Sequence, residues 1–181
     1  MKREEALELV RKHLKNKNLV KHCLAVEACM KSVAVRIGQE DEKWGLAGIL
    51  HDLDYELTEK SPELHTTETV KIVKELGVEP EIIQAIQAHA GKVPCQTPMD
   101  WAIFSIDPLT GLIIAATLMH PTKKLKDVDL DFVKRRYKEK SFAKGARREE
   151  IEECKNIPLE LDEFISICLH AMQSIDKDLG L

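Results

Sequence analysis

The sequence predicts an all-α protein of about eight or nine helices, and three observations carry the prediction. Apolar residues recur at three- and four-residue spacing from the first segment to the last, the period of a helix with one buried face. Helix punctuation recurs too: Ser61-Pro62, Glu79-Pro80 and Thr97-Pro98 read as starts, and Gly38, Gly77 and Gly91 as stops. No stretch alternates apolar and polar residues as a half-buried strand does, and aromatic residues make up only 4% of the chain.

Taken in order, Ala6, Leu7, Val10 and Leu14 define a helix over 3–14. The polar run Lys15-Asn16-Lys17-Asn18 is a turn, with Asn18 as the expected N-cap of a long helix that carries Val20, Cys23, Val26, Met30 and Val33 and stops at Gly38. Asp41 is the expected cap of the next helix, which ends near His51-Asp52. The Ser61-Pro62 signal predicts one helix to Gly77, Pro80 another to His89, and Pro98 a third to about His120. Proline disfavours helical geometry in the residue before it. Pro108 is therefore expected to interrupt that third helix and leave Asp107 at a kink. Helices around 129–140 and 147–156, and one from Pro158 to about Asp178, complete the chain.

The 181 residues fit one domain with a core of its own. There is no internal repeat and no Gly/Ser-rich linker. The net charge of −4 argues against a general affinity for nucleic acid. No apolar run approaches the ~18 residues of a membrane span, and the Met-Lys-Arg-Glu-Glu start has no apolar stretch of the signal-peptide kind. Five cysteines without a CxxC pair read as free thiols in a cytoplasmic protein, with Cys23 and Cys29 in the core.

The chemistry gathers around Gly48-Ile49-Leu50-His51-Asp52. An imidazole beside a carboxylate offers two good ligands for a divalent metal, and an Asp directly after an apolar run is costly unless something compensates its charge. His22 lies on the preceding amphipathic helix, and Asp107 lies inside the apolar run that begins at Trp101. Two His and two Asp from three helices is how helical bundles build internal metal sites.

The order His22, His51-Asp52, Asp107, with the flank Leu46-Ala47-Gly48-Ile49-Leu50, resembles the HD-domain phosphohydrolases, whose members commonly read "LAGLLHD" at the pair. The resemblance spans roughly residues 18–120, about 57% of the chain. It implies an HD-type helical bundle as a single domain over 1–181, with a metal-binding core at about 18–120 and a C-terminal helical extension at about 122–181. A subgroup of the family carries two more histidines between the pair and the last Asp and binds two metals. His65 and His89 are the histidines available in that interval. By this resemblance His22, His51, Asp52 and Asp107 hold one divalent ion, and Asp52 bridges to a second held by His65 and His89. The ion is Fe, Mn, Co, Ni, Zn or Mg.

The implied reaction is attack of a metal-bound hydroxide on a phosphate ester, as a phosphatase or phosphodiesterase acting on a nucleotide or another small phosphorylated molecule. Neither a membrane nor nucleic acid is expected as a partner. Asp52 is the central catalytic residue, and Asp54 or Glu56 the expected proton relay. The segment 122–148 holds eleven Lys or Arg against four acids and reads as a phosphate clamp or lid. Lys123 and Lys124, following the Asp107 helix, and Lys92, following His89, are its expected phosphate contacts; Gln96 and Thr97 are weaker candidates. His13, His120 and His170 fall outside the pattern.

This chain departs from relatives of that type in two places. Leu53-Asp54 follows the pair with no lysine close behind, and the Gly-Tyr-Pro signature of the cyclic-dinucleotide branch is absent. Two other readings share the ligand set: a di-iron oxygenase on the same fold, and a nucleotide-binding module without catalysis.

Overall fold

The computed structural model describes residues 1–181 and contains helices and no strands. The helices are α1 (Arg3–His13), α2 (Lys17–Arg36), α3 (Asp41–Leu50), α4 (Tyr55–Thr58), α5 (Thr67–Glu75), α6 (Pro80–His89), α7 (Pro98–Met119), α8 (Leu130–Lys138), α9 (Arg148–Ile151), α10 (Leu161–Ser174) and α11 (Asp176–Leu179). Short 3-10 turns stand at Pro62–Leu64, Leu125–Asp127 and Glu152–Asn156. Helix α2 is the hub and packs on α3, α7 and α10, while α6 packs on both α7 and α3. One cluster of 44 buried apolar residues runs from Ala6 to Leu179, so the C-terminal helices share the core with α2 and α7.

Several boundaries differ from the sequence expectation. Asn16, not Asn18, caps α2, its side chain accepting the Asn18 N–H at 2.9 Å. Glu40 occupies the cap position of α3, and Asp41 is its first helical residue. The expected helix from Ser61 to Gly77 is broken: a single 3-10 turn is followed by Thr66 at φ 71, and α5 starts only at Thr67. The cause is Asp54, whose carboxylate takes the N–H groups of Thr66 and Thr69, each at 3.0 Å. It thus caps α5 from outside the helix and pulls the chain away from a continuous spiral.

Pro108 does not interrupt α7, which runs unbroken over 22 residues. An internal proline costs a helix about 3 kcal/mol. Twelve buried residues along α7, clamped between α2, α6 and α9, outweigh that cost. Over an 18-residue window α7 has a mean hydropathy of 1.8, enough in length and composition to cross a membrane, contrary to the expectation that no run qualifies. In this fold it is the long core helix and carries Asp100 and Asp107.

Close approach of α2 and α3 depends on Gly48. A Cβ there would lie 2.9 Å from the Glu27 backbone N and Cα, a distance real Cβ atoms do not adopt. Missing side-chain bulk at this one position brings the His22 helix against the His51 helix. Glu27 is itself buried and is held in a two-bond pair by Arg3, Nε–Oε1 2.5 Å and Nη2–Oε2 2.9 Å, which ties α1 to α2.

Candidate metal centre

The six residues singled out as ligands converge, each from a different local device. His51 follows the last residue of α3 and His89 ends α6. Both rings turn back on their own helix: His51 Nδ1 meets the Gly48 carbonyl at 2.7 Å, and His89 Nδ1 meets the Ile86 carbonyl at 2.5 Å. Carbonyls in the last turn of a helix lack intrahelical partners, so the rings satisfy the helix ends, and a carbonyl can only accept. Nδ1 must therefore carry the hydrogen in both rings, which leaves Nε2 as a lone pair.

In His22 and His65 it is side chains that hold Nδ1. Thr110 gives its only hydroxyl hydrogen to the Asp107 carbonyl at 2.9 Å, so its contact with His22 Nδ1 at 3.2 Å is accepted from the ring. His65 Nδ1 lies 3.0 Å from Asp54 Oδ1. All four rings thus have Nδ1 committed and present Nε2 inward.

These nitrogens surround the Asp52 carboxylate in pairs. Oδ2 stands 3.6 Å from His22 Nε2 and 3.4 Å from His51 Nε2, while Oδ1 stands 3.2 Å from His65 Nε2 and 3.4 Å from His89 Nε2. Asp107 joins the first pair, its Oδ1 2.9 Å from His22 Nε2 and 3.9 Å from His51 Nε2. The Nε2 atoms of His22 and His51 are 3.2 Å apart, as are those of His65 and His89. Lone pairs and carboxylates at such separations repel unless a cation sits among them. Two sets of donor atoms, His22/His51/Asp107 and His51/Asp52/His89, are each close enough to share one ion. This donor set fits one or two divalent metals of the Mn, Fe, Co or Zn type.

The electrostatics follow. Burial pushes the His51 pKa down to about 4, against the pull of Asp52. For Asp52 burial favours the neutral acid, but the surrounding histidines overcome it and hold the carboxyl well below its ordinary range. Burial also opposes protonation of His65, yet Asp52 and Asp54 together push its pKa up to about 9.

The centre opens into a cleft of about 680 Å³. Along its edge stand Tyr55, whose ring meets His65 edge-on at 5.5 Å, and Ala143, Gly145, Ala146, Arg147 and Glu150 from the far end of the basic segment.

The expectations for the surroundings need correction. Asp54 does not border the cleft: it is 1% exposed, and its oxygens are engaged by Thr66, Thr69 and His65, so its place is behind His65, which it orients. Glu56 accepts the Lys15 N–H at 2.7 Å, outside the cleft. Lys92 spends its ammonium on the Pro62 and Glu63 carbonyls at 3.0 and 2.8 Å. Lys123 and Lys124 lie past the end of α7 and do not border the cleft. The N–H groups of Gln96 and Thr97 bind Asp100 at the start of α7 instead. Of the basic segment, Arg147 is the cation that reaches the cleft, and Tyr55 and Glu150 were not anticipated. His13, His120 and His170 lie outside it.

Residues 19–130 match the family described as the HD domain. Among curated proteins the chain is similar to Ribonuclease Y of Nitratidesulfovibrio vulgaris (strain DP4), 25% identical over 167 residues, which cover 91% of this chain and 32% of that protein. It is also similar to Ribonuclease Y of Sulfurovum sp. (strain NBC37-1), 28% identical over 136 residues, or 73% of this chain and 26% of that one. Ribonuclease Y of Thermotoga maritima is 25% identical over 135 residues, or 73% and 27%. The chain spans about a third or less of the length of these relatives. No solved structure matches. The matched span exceeds half of the chain and contains all six converging residues, and this chain belongs to the HD-domain family.

Proposed function

We propose that the protein is a metal-dependent hydrolase of phosphate esters, acting on a nucleotide or another small phosphorylated molecule. One observation carries the reading: four histidines have Nδ1 committed and Nε2 aimed at a shared, buried Asp52. The family generally comprises metal-dependent phosphohydrolases, which agrees with this donor set.

His22, His51, Asp107 and Asp52 Oδ2 are assigned to one ion position, and His65, His89 and Asp52 Oδ1 to the other. A divalent ion bound there supplies acidified water and a polarised phosphoryl oxygen. The remaining work belongs to the protein. Gly48, Ile86, Thr110 and Asp54 fix the ring orientations, a role whose loss typically costs 10–100-fold in metal affinity. Tyr55 forms an aromatic edge of the cleft, and the opening above the centre is large enough for a nucleotide. The relatives' name, Ribonuclease Y, argues for including RNA among the substrates tested, against the exclusion drawn from net charge. Buried free thiols support a cytoplasmic setting.

The test is elemental analysis of untagged protein alongside His51→Ala, Asp52→Ala and His65→Ala, with hydrolysis of mononucleotides and short RNA followed in parallel. We expect about two metals per chain in the wild type, about one in His65→Ala, and loss of metal and hydrolysis in the other two with the helical signal retained. Protein that takes up no Mn, Co or Fe on reconstitution, or hydrolysis unchanged in Asp52→Ala, refutes the proposal. Turnover that needs oxygen and iron would place the chemistry among the di-iron oxygenases instead.

A further inference from the structure

One wall of the cleft is the loop between α8 and α9, and its shape is set by one side chain. Arg148 donates to the carbonyls of Arg136, Tyr137, Glu139, Phe142, Ala143 and Ala146 at 2.7–3.4 Å. A guanidinium has five N–H groups, so Arg148 has none left for a ligand. Its effect is to fold residues 139–147 into a closed loop that turns its small residues towards the metal centre and leaves Arg147 at the edge.

Arg147 occupies a junction. It borders the cleft and also a second groove of about 540 Å³ that shares Ala146 and Arg147 with it. The groove carries Lys138, Lys140 and Lys144, none of which forms an ion pair, against Glu149 and Glu152. Glu152 is already occupied by the Tyr137 hydroxyl at 3.1 Å. Arg147 has one partner, Glu150, at 2.6 Å, and its side chain is 66% exposed. Arg147 thus borders both the cleft of the six-donor cluster and the groove, whereas the three lysines border the groove alone.

We propose that Arg147, with Lys140 and Lys144, forms a second anion subsite that binds a phosphoryl group neighbouring the one at the metal centre. The preferred substrate then carries at least two phosphoryl groups, a chemistry common to nucleoside polyphosphates and oligonucleotides. Arg147 exchanges Glu150 for that second group when the substrate binds. The inference rests on the phosphohydrolase reading for its first phosphoryl position.

The test compares AMP, ADP and the dinucleotide pApA as substrates of the metal-reconstituted full chain, with calorimetric titration of AMP and ADP as a readout independent of turnover. In Arg147→Ala and in Lys140→Ala/Lys144→Ala, kcat/KM for the two-phosphoryl substrates should fall about tenfold through KM, as expected for a lost charge-assisted contact. In Lys140→Ala/Lys144→Ala, AMP should change less than twofold, and Arg147→Lys should recover part of the Arg147→Ala loss. Loss confined to pApA identifies a phosphodiester chain as the ligand; loss with ADP as well identifies a polyphosphate-binding subsite. Equal losses for AMP and ADP, or none for either two-phosphoryl substrate, overturn the proposal. If no phosphoester is turned over but ADP affinity still drops in Arg147→Ala, the hydrolase reading falls and the subsite stands.

Discussion

Metal uptake should depend steeply on pH, and His65 sets the window. In the metal-free protein its ring lies between Asp54 at 3.0 Å and Asp52 at 3.2 Å, with a pKa pushed up to about 9. At pH 7 the ring is therefore an imidazolium, and the nitrogen assigned to the metal holds a proton. Displacing that proton costs about tenfold in apparent affinity for each pH unit below 9, which is about 100-fold, or about 2.7 kcal/mol, at pH 7. The assay is competition of Co²⁺ against a chelator from pH 6.5 to 9.5. Calorimetry in buffers of different ionisation enthalpy counts the released protons. Affinity at the His65/His89 position should rise about tenfold per unit and level off near pH 9. Affinity that stays flat between pH 7 and 9 in the wild type would refute the reasoning. Linkage carries the same group into stability without metal. A raised folded pKa contributes fully below the unfolded value of 6.5 and is lost as pH rises through about 9. His51 has the opposite sign: its depressed value contributes above 6.5 and is lost as pH falls through about 4. Urea denaturation of the metal-free protein should therefore show these two histidines eroding stability on opposite sides of pH 6.5.

Three further perturbations test how the centre is supported. Gly48→Ala forces its Cβ against the Glu27 backbone at 2.9 Å; overpacking of this kind costs about 1–3 kcal/mol. It should lower both the melting temperature and metal affinity, because His22 and His51 ride on the two helices pushed apart. Arg3→Ala leaves the buried Glu27 carboxylate without its partner. A loss of about 2 kcal/mol is expected by denaturant titration, with much of it recovered in Arg3→Ala/Glu27→Gln and little change in metal content. Arg148→Lys keeps the charge but cannot span six carbonyls. Limited proteolysis should then cut within 139–147 in the variant before it does so in the wild type.

The converging donor residues were legible in the sequence for a chemical reason. Few residue types hold a divalent ion, so His22, His51-Asp52 and Asp107 stand out against an apolar background, and His65 and His89 are the histidines in the interval between the pair and Asp107. Helix punctuation was legible where proline or glycine enforced it, as at Pro80, Pro98 and Gly38. The misreadings share a different cause. Lys92, Lys123 and Lys124 follow His89 and the Asp107 helix in the chain, but nearness in sequence does not bring them to the cleft. Arg147 lies 40 residues after Asp107 and reaches the cleft because α9 packs on α7. Asp54 was read as a free acid beside the motif. Its capture of the Thr66 and Thr69 amides exists only once the chain has doubled back by 12 to 15 residues. Pro108 was given its local effect, whereas packing along the whole of α7 decided the outcome.

The wiring of the histidines also bears on what metal loss should do. His51 and His89 take their orientation from carbonyls three residues back on their own helices, Gly48 and Ile86. These bonds form with the helices and need no ion. Two of the four rings are therefore preset by secondary structure, and His22 is preset by Thr110 within the α2–α7 contact. His65 differs: it sits on no helix, and its direction depends on Asp54 gathering the loop around itself. Lone pairs crowding Asp52 repel in the empty centre, and protons relieve that repulsion at His65 first, where the pKa is about 9. The first position, His22/His51/Asp107 with Asp52, is thus built into the helical core and should survive metal removal. The second depends on a loop held by one buried carboxylate. Asp54→Asn should consequently reduce metal content from about two to about one while leaving the first ion bound, and loss of both ions together would show that the two positions are built as one unit.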